Sequence, residues 1–355
     1  MAGLCAAARA RELGLEPVVL EKGNRPGGSM LLSSCVIWRY RTLDDFRAEC
    51  PGGDAALQEL IVERLDHAVA WLERLGAPVV WEETGNPRTV GKRFDPSGLT
   101  DVLARAAGEI RYDTALRDVD EPLILATGGF QGDRELVARH ITREPFVLRA
   151  NPWSSGDGLR FGLARGAALS SGLGEFYGRA LPAPPAEVPE ERFVELAQLF
   201  GRHALVLDEQ GEEFAPDPVS WSEIELVQAI ARRRGGRAWY VVGEATLEVE
   251  IRGRTVSEMI DAARDAGGTV VLADELGFEL PQTYRYAVHV AAGITHTLGG
   301  LRVDTSGRVL DEEGDVVEGL FAAGVDAGGI STGGYASGLA TALVLAVTAA
   351  EELAT

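Results

Sequence analysis

Gly3 and Glu21 stand 18 residues apart, at opposite ends of a segment that reads as a helix followed by a strand. MAGLCAAARARELGL is Ala-rich, with small apolar residues recurring on one face and the charges clustered late, the pattern of a helix. EPVVLE (Glu16 to Glu21) reads as a short buried strand that ends on an acid. The order and spacing match the second half of a dinucleotide-binding βαβ unit, in which a GxGxxG turn joins the first strand to the helix. There the pyrophosphate rests on the helix N-terminus, and an acid about 20 residues on takes the ribose hydroxyls. Gly3 fits the third glycine. The first strand and the first two glycines are not in the sequence, which starts inside the motif, and we expect Met1 to be an internal methionine of a longer natural chain. A helix leading to a strand that ends in Glu is common in α/β proteins, so this pair alone assigns no cofactor.

A length of 355 residues suits one large α/β domain or two domains of unequal size. The formal charge of −20 repels phosphate backbones and anionic lipid, which argues against nucleic-acid or membrane-surface partners. The 43 glycines exceed the roughly 25 expected at about 7% usage and imply many close backbone approaches. Cys5, Cys35 and Cys50 form no CxxC pair and leave one over, so no disulfide framework is expected and a reducing, cytoplasmic compartment is. No basic segment precedes an apolar core at the start, so no signal peptide is expected. The longest apolar run, ASGLATALVLAVTAA, is shorter than the roughly 20 residues of a membrane span. The histidines have no ligand spacing, and no metal is expected.

Along the chain, KGNRPGGSMLLSS is a turn-rich loop, and Leu57 to Leu75 has the apolar spacing of an amphipathic helix. Phe94 to Gly108 is a second helix with Ser97 or Asp95 as its cap. Pro122 to Asp133 is a buried strand running into a double glycine, and a helix starts around Gly156 to Gly158. The short span between Arg111 and Leu123 leaves room for a single strand and turn. From about Tyr177 to Arg285 the character changes: a Pro-rich LPAPPAEVP, a hairpin at Ala204 to Phe214, a strand AWYVV and a helix TVSEMIDAARDAG read as an inserted lobe. The chain then returns to Gly-rich turns at HVAAGITHTLGG, VEGLFAAGVDAGG and STGGYASG.

ATGGF, GDGL, HTLGG and GLFAAGVDAGG…GGYASG occur in that order, with spacings that close one sheet around one ligand. Each alone reads equally well as a turn or a capped helix. Jointly they resemble the flavoproteins of the succinate dehydrogenase/fumarate reductase and 3-ketosteroid Δ1-dehydrogenase superfamily, over nearly the whole chain and most strongly at both ends. The resemblance implies an α/β fold: a Rossmann-like FAD-binding domain, here with its first strand missing, at 1–178 and 286–355, and an inserted α+β cap at 179–285. It implies FAD and oxidoreduction of a carbon–carbon bond next to a carbonyl or carboxylate, through hydride transfer at flavin N5. It also implies a small-molecule substrate with an activated C–C bond and an electron donor or acceptor of unknown identity.

Residue by residue, the resemblance places Gly3 at the pyrophosphate helix and Glu21, followed by Lys22, at the adenosine ribose. Gly27, Gly28, Ser29, Ser33 and Ser34 match the loop under the pyrophosphate and flavin. Ala126, Thr127 and Gly128 match the strand-end turn, and Asp157 the acid of the GDG turn. His296 lies beside the isoalloxazine in relatives, while Gly324 and Asp326 fall in the ribityl and phosphate region. Ser337, Gly338 and Leu339 match the N-terminus of the last helix, whose dipole suits an anionic reduced ring.

Departures from the pattern bear on the substrate. Tyr335 stands where fumarate reductases have the Arg that clamps a dicarboxylate, Thr295 replaces a His, and no Arg follows AWYVVGEATL until Arg252. Bidentate carboxylate binding needs Arg, so Tyr335 points instead to a neutral carbonyl substrate, as in the ketosteroid dehydrogenases. Asp217 takes the place of a family Glu and is the candidate acid/base. Tyr177 and Tyr240 are aromatic candidates better read as core. Cys35 replaces a common Gly, either crowding the flavin or accepted by an unstrained backbone. The leading expectation is an FAD-dependent oxidoreductase of the CH–CH class. The alternatives are a catalytically silent flavoprotein fold that binds FAD weakly or not at all, a fumarate reductase-like dicarboxylate reductase, and an NAD(P) site. The returning Gly-rich C-terminus speaks against the last.

Overall fold

The computed structural model describes residues 1–117, 119 and 122–355. The chain divides into two compact units. One comprises Met1–Leu136, Ala150–Glu175 and His296–Thr355, the other Val137–Arg149 and Phe176–Thr295. The division read from sequence, with a cap at 179–285, differs at both ends and omits 137–149. That segment joins the second unit because Val147 and Leu148 pair in parallel with Gly293 and Ile294, and Thr142 Oγ1 donates to Ala231 O at 2.6 Å.

The first unit is organised around its last helix, Gly338–Leu353. An Ala- and Leu-rich sequence without a helix breaker favours helix, and every residue from Ala340 to Ala350 is buried. A helix apolar on all sides belongs inside a core rather than on a surface. Alanines of the first helix, Ala2–Glu12, allow the two to pack closely. Gly324 shows how tight the region is, since a Cβ there would lie 3.1 Å from Ala2 Cβ. The helix Ala55–Arg74 starts from Asp54, whose carboxylate accepts the N–H groups of Ala56 and Leu57. Pro96–Ala107 is capped by Asp95 rather than Ser97, and Pro at its first position suits the helix start.

Val18–Leu20 pairs in parallel with Glu109–Arg111, and Leu123–Leu125 in parallel with Val316–Ala322, which in turn pairs antiparallel with Arg308–Leu310. Among the described residues these strands form two separate sheets. A third sheet, ordered Val36–Tyr40, Thr89–Phe94, Val79–Trp81, is antiparallel. The single strand expected in GEIRYDTALRDVDEP is Glu109–Arg111, at its start rather than between Arg111 and Leu123, and residues 118, 120 and 121 of that connection lie outside the described residues. No helix among the described residues is long and apolar enough to cross a membrane.

The second unit is built on a six-stranded sheet. Its longest strand, Tyr284–Thr297, pairs with Arg237–Gly243 and Val270–Leu272. This corrects the reading of HVAAGITHT as a Gly-rich turn. Gly293 sits in extended chain, where a Cβ would lie 2.8 Å from Arg179 O, so the glycine serves close strand approach rather than a turn. The helix Val256–Asp265 starts with a reciprocal capping box between Thr255 and Glu258.

Glu351 and Glu352 place negative charge at the C-terminal end of the last helix, where the dipole disfavours it. Arg9 offsets this, its Nη2 lying 2.8 Å from the Glu351 carboxylate, and Arg64 donates to the same group. Burial pushes the Glu351 carboxyl up, but these two guanidinium groups outweigh it and hold it below the usual carboxylate value. Such a depressed pKa contributes stability that is full above the unfolded value of about 4.3 and is lost as pH falls through the folded value. Glu351→Gln is expected to lower the unfolding free energy by about 1 kcal/mol at pH 7. In denaturant titrations the difference from the parent protein should shrink below pH 4.

Candidate functional site

The turn after Leu123–Leu125 is where the two sequence halves of the first unit meet. Gly128 and Gly129 both have positive φ, 91° and 87°, so ATGG needs glycine at these two places. The Asp326 carboxylate accepts the N–H of Thr127, the Thr127 hydroxyl at 3.0 Å and the N–H of Gly128 at 3.3 Å. Thr127 Oγ1 in turn accepts the Gly158 N–H at 3.0 Å. Burial pushes the Asp326 carboxyl up, and the turn's N–H groups oppose that shift. The resemblance placed Asp326 near the ribityl chain; its carboxylate faces the turn, where it fixes the backbone of Ala126–Thr127–Gly128. Asp157 is the first residue of the helix Asp157–Ala164, with Gly156 at the cap position, and it forms an ion pair with Lys22 at 2.7 Å.

The loop after Glu21 is held by its own polar groups. The Glu21 carboxylate accepts the Gly23 N–H at 2.7 Å. Gly27 and Gly28 have φ of 100° and 53°, and a Cβ on Gly27 would lie 2.9 Å from Thr100. Ser29 Oγ accepts from the buried Asn151 side chain at 2.9 Å. Ser33 Oγ donates to Met30 O and accepts the Cys35 N–H, and Ser34 O accepts from Arg93. Cys35 is fully buried with φ 53°. This overturns the reading of an unstrained backbone, because the position keeps the left-handed conformation that favours Gly. Burial pushes its thiol up to about 12.

The second Gly-rich loop, 328–335, is clamped to 49–58. Gln58 Nε2 donates to Cys50 O and Ile330 O, and the Glu175 carboxylate accepts the Gly333 N–H at 2.8 Å. This anchoring fixes Tyr335, whose ring meets Trp38 edge-on at 5.4 Å and whose carbonyl accepts the Tyr40 hydroxyl. Just beyond, Ser337 Oγ accepts the Ala340 N–H, and the first intrahelical bond runs from Thr341 N to Ser337 O. The N–H groups of Gly338 and Leu339 therefore precede any intrahelical acceptor. A Cβ on Gly338 would lie 2.9 Å from His296 Nε2, and His296 Nδ1 is 3.2 Å from Thr297 O, an arrangement that favours the Nδ1–H tautomer. The first unit thus brings Tyr335, His296 and the helix N-terminus together. Gly3 packs against Ala126, at 3.5 Å from the position its Cβ would take.

Asp217 belongs to the second unit and is exposed. Tyr240 is fully buried against Phe200 at 5.5 Å and is core. Tyr177 stacks beneath the Arg179 guanidinium at 5.0 Å. Sequence reasoning missed Asn151, Trp38, Tyr40 and Gln58. They position site residues through contacts distant in sequence, and nothing local to NPWSS or VIWRY signals that role.

A flavin-type α/β fold with a second unit inserted in its sequence is the class these features define. The family model for the FAD binding domain matches residues 1–110 and 116–340, and the chain belongs to that family. A probable fumarate reductase of Shewanella frigidimarina is 23% identical over 405 residues, covering 91% of this chain and 68% of that one. In fold, the chain is similar to a 3-ketosteroid Δ1-dehydrogenase of Sterolibacterium denitrificans, with TM-score 0.72, 15% identity, and coverage of 99% of this chain and 97% of the other. It is also similar to the open conformation of a flavocytochrome c3 fumarate reductase, with TM-score 0.71, 20% identity, and coverage of 99% and 76%. The residues fit FAD. Gly27 and Gly338 leave out a Cβ that would press on Thr100 and His296, Gly28 keeps a positive φ, and the Gly338 and Leu339 N–H groups are available to an electron-rich ring edge.

Gly158 tests the clamp directly. A Cβ there would lie 2.8 Å from Thr127 Oγ1 and 2.9 Å from Asp326 Cγ. Gly158→Ala is expected to lower stability by about 1–3 kcal/mol and to weaken FAD retention, read by chemical denaturation and by flavin absorbance after gel filtration.

Proposed function

We propose that the protein is an FAD-dependent oxidoreductase acting on a CH–CH bond adjacent to a carbonyl, with Tyr335 as the substrate-side acid/base group. The observation that carries this reading is the placement of Tyr335, two residues before the Ser337 cap of the last helix, in a loop held by Tyr40, Gln58 and Glu175. Bound FAD supplies a two-electron hydride donor or acceptor. The Gly338 and Leu339 N–H groups would hold the electron-rich edge of the ring and, with the helix dipole, would favour negative charge there. Trp38 fixes the Tyr335 ring, so that its phenol donates a hydrogen bond to a carbonyl oxygen or moves a proton at the adjacent carbon. Asp217 is the candidate second acid/base group. The three free, buried cysteines accord with a reducing cytoplasm.

A second reading, reduction of an unsaturated carboxylate, is favoured by the likeness to the probable fumarate reductase of Shewanella frigidimarina. Tyr335 in place of a clamping Arg speaks against it.

The visible absorbance of the purified protein, before and after addition of FAD and removal of excess, is expected to show bound flavin. A protein that stays colourless supports the catalytically silent alternative. Tyr335→Phe is expected to leave flavin absorbance unchanged and to lower kcat on a cyclic enone or 3-ketosteroid by about 100-fold or more. Full activity of the Phe variant would remove Tyr335 from the chemistry, and turnover of fumarate but not of ketones would favour the second reading.

A further inference from the structure

Six arginines and a single acid occupy the two segments 137–146 and 231–237, in a chain where acids outnumber Lys and Arg by 54 to 34. Both segments belong to the second unit, and the fold joins them. Thr142 Oγ1 donates to Ala231 O at 2.6 Å. The Glu144 carboxylate, the one acid of the two segments, accepts the Gly235 N–H at 2.7 Å. Gly235 and Gly236 have consecutive positive φ, 78° and 61°, and a Cβ on Gly236 would strike Pro145 O. The backbone that carries the arginines is therefore fixed by glycine conformations and close contacts, not by the guanidinium groups themselves.

Local chemistry accounts for part of the set. Arg139 and Arg232 stand in the last turns of the helices Arg134–His140 and Ile224–Arg232, where positive charge suits the dipole. Arg233 stacks on Phe214 at 4.4 Å and lies 3.7 Å from the Asp208 carboxylate. Arg143, Arg234 and Arg237 lie beyond these helices. Among the described residues none of the three forms an ion pair or a side-chain hydrogen bond. Arg143 and Arg234 are exposed, and Arg237 is half-buried beside the turn, its Cδ 3.9 Å from where a Gly235 Cβ would lie. Glu144 and Asp208, the acids bonded to these segments, already hold backbone N–H groups, those of Gly235 and of Gln210 and Glu212.

We propose that this face docks an acidic partner protein, a cluster of whose carboxylates meets Arg143, Arg234 and Arg237. Guanidinium groups carried on a fixed turn need little reorganisation when carboxylates reach them, and their planar donors match carboxylate geometry. The rest of the chain is more negative than the −20 of the whole. It repels an extended polyanion such as nucleic acid, which would run past the arginines. A protein whose acids are gathered in one patch meets this face alone. The proposal assigns an interaction surface of the second unit and does not depend on the flavin chemistry proposed above.

The test is fluorescence anisotropy of a labelled oligoglutamate peptide of about eight residues with the protein, beside an oligoglutamine peptide of the same length and a DNA oligonucleotide of equal charge. The glutamate peptide is expected to bind at low ionic strength and to be released at about 1 M salt, where charges are screened within about 3 Å. The glutamine peptide and the DNA are expected to bind about tenfold more weakly or less. Arg143→Gln combined with Arg234→Gln, both at exposed positions, is expected to weaken the glutamate peptide about tenfold or more with the thermal midpoint unchanged. Arg105→Gln, which removes an exposed charge from the first unit, is expected to leave binding as it was. The proposal is overturned if the glutamate peptide does not bind, if the double variant binds it as well as the parent protein does, if Arg105→Gln weakens it equally, or if the DNA binds more tightly than the glutamate peptide.

Discussion

A carboxylate cut off from water is stable only where N–H and O–H groups meet it, and Asp326 is such a group. Its partners are the backbone and hydroxyl of Thr127 and the backbone of Gly128. Thr127 passes the constraint to Gly158 at the start of the next helix. One buried side chain from the C-terminal third therefore fixes a turn from the first half of the chain and the helix that follows it. The glycines at 128, 129 and 158 are what allow these backbones to approach. Replacing water with protein donors makes the arrangement costly to disturb, because any lost partner leaves a buried acceptor unsatisfied.

The second Gly-rich loop follows the same logic at lower charge. Gln58 and Glu175 supply the groups that hold 328–335, and the aromatic pair Trp38–Tyr40 sets the position of Tyr335. The candidate Tyr335 lies on a loop, while Trp38, Tyr40 and Gln58, which hold that loop, lie on a strand and a helix elsewhere in the chain. Strain appears where these demands conflict with local preference. Cys35 keeps a left-handed backbone in the loop that follows Glu21. Glu223 and Arg252 do the same in the second unit.

Much of this was legible in the amino-acid order. The helix Ala2–Glu12, the strand ending just before Glu21, the Asp95 cap and the final apolar helix all follow from local periodicity and capping chemistry. HVAAGITHT was misread because its small residues resemble a turn, whereas Gly293 lies in a strand and makes room for a neighbouring one. The segment 137–149 could not be assigned to the second unit from sequence, since its strand has only two residues and its partners lie about 145 positions away.

The sequence by itself determined the family, the flavin-type fold and the positions where glycine is required, because these depend on short patterns of residues with distinctive backbone and capping chemistry. Tertiary structure decided what each polar group does: Asp326 holds a turn, Asp157 pairs with Lys22, and His296 faces Gly338. A side chain's role depends on its partners and its access to water, and both are set only when distant segments pack together.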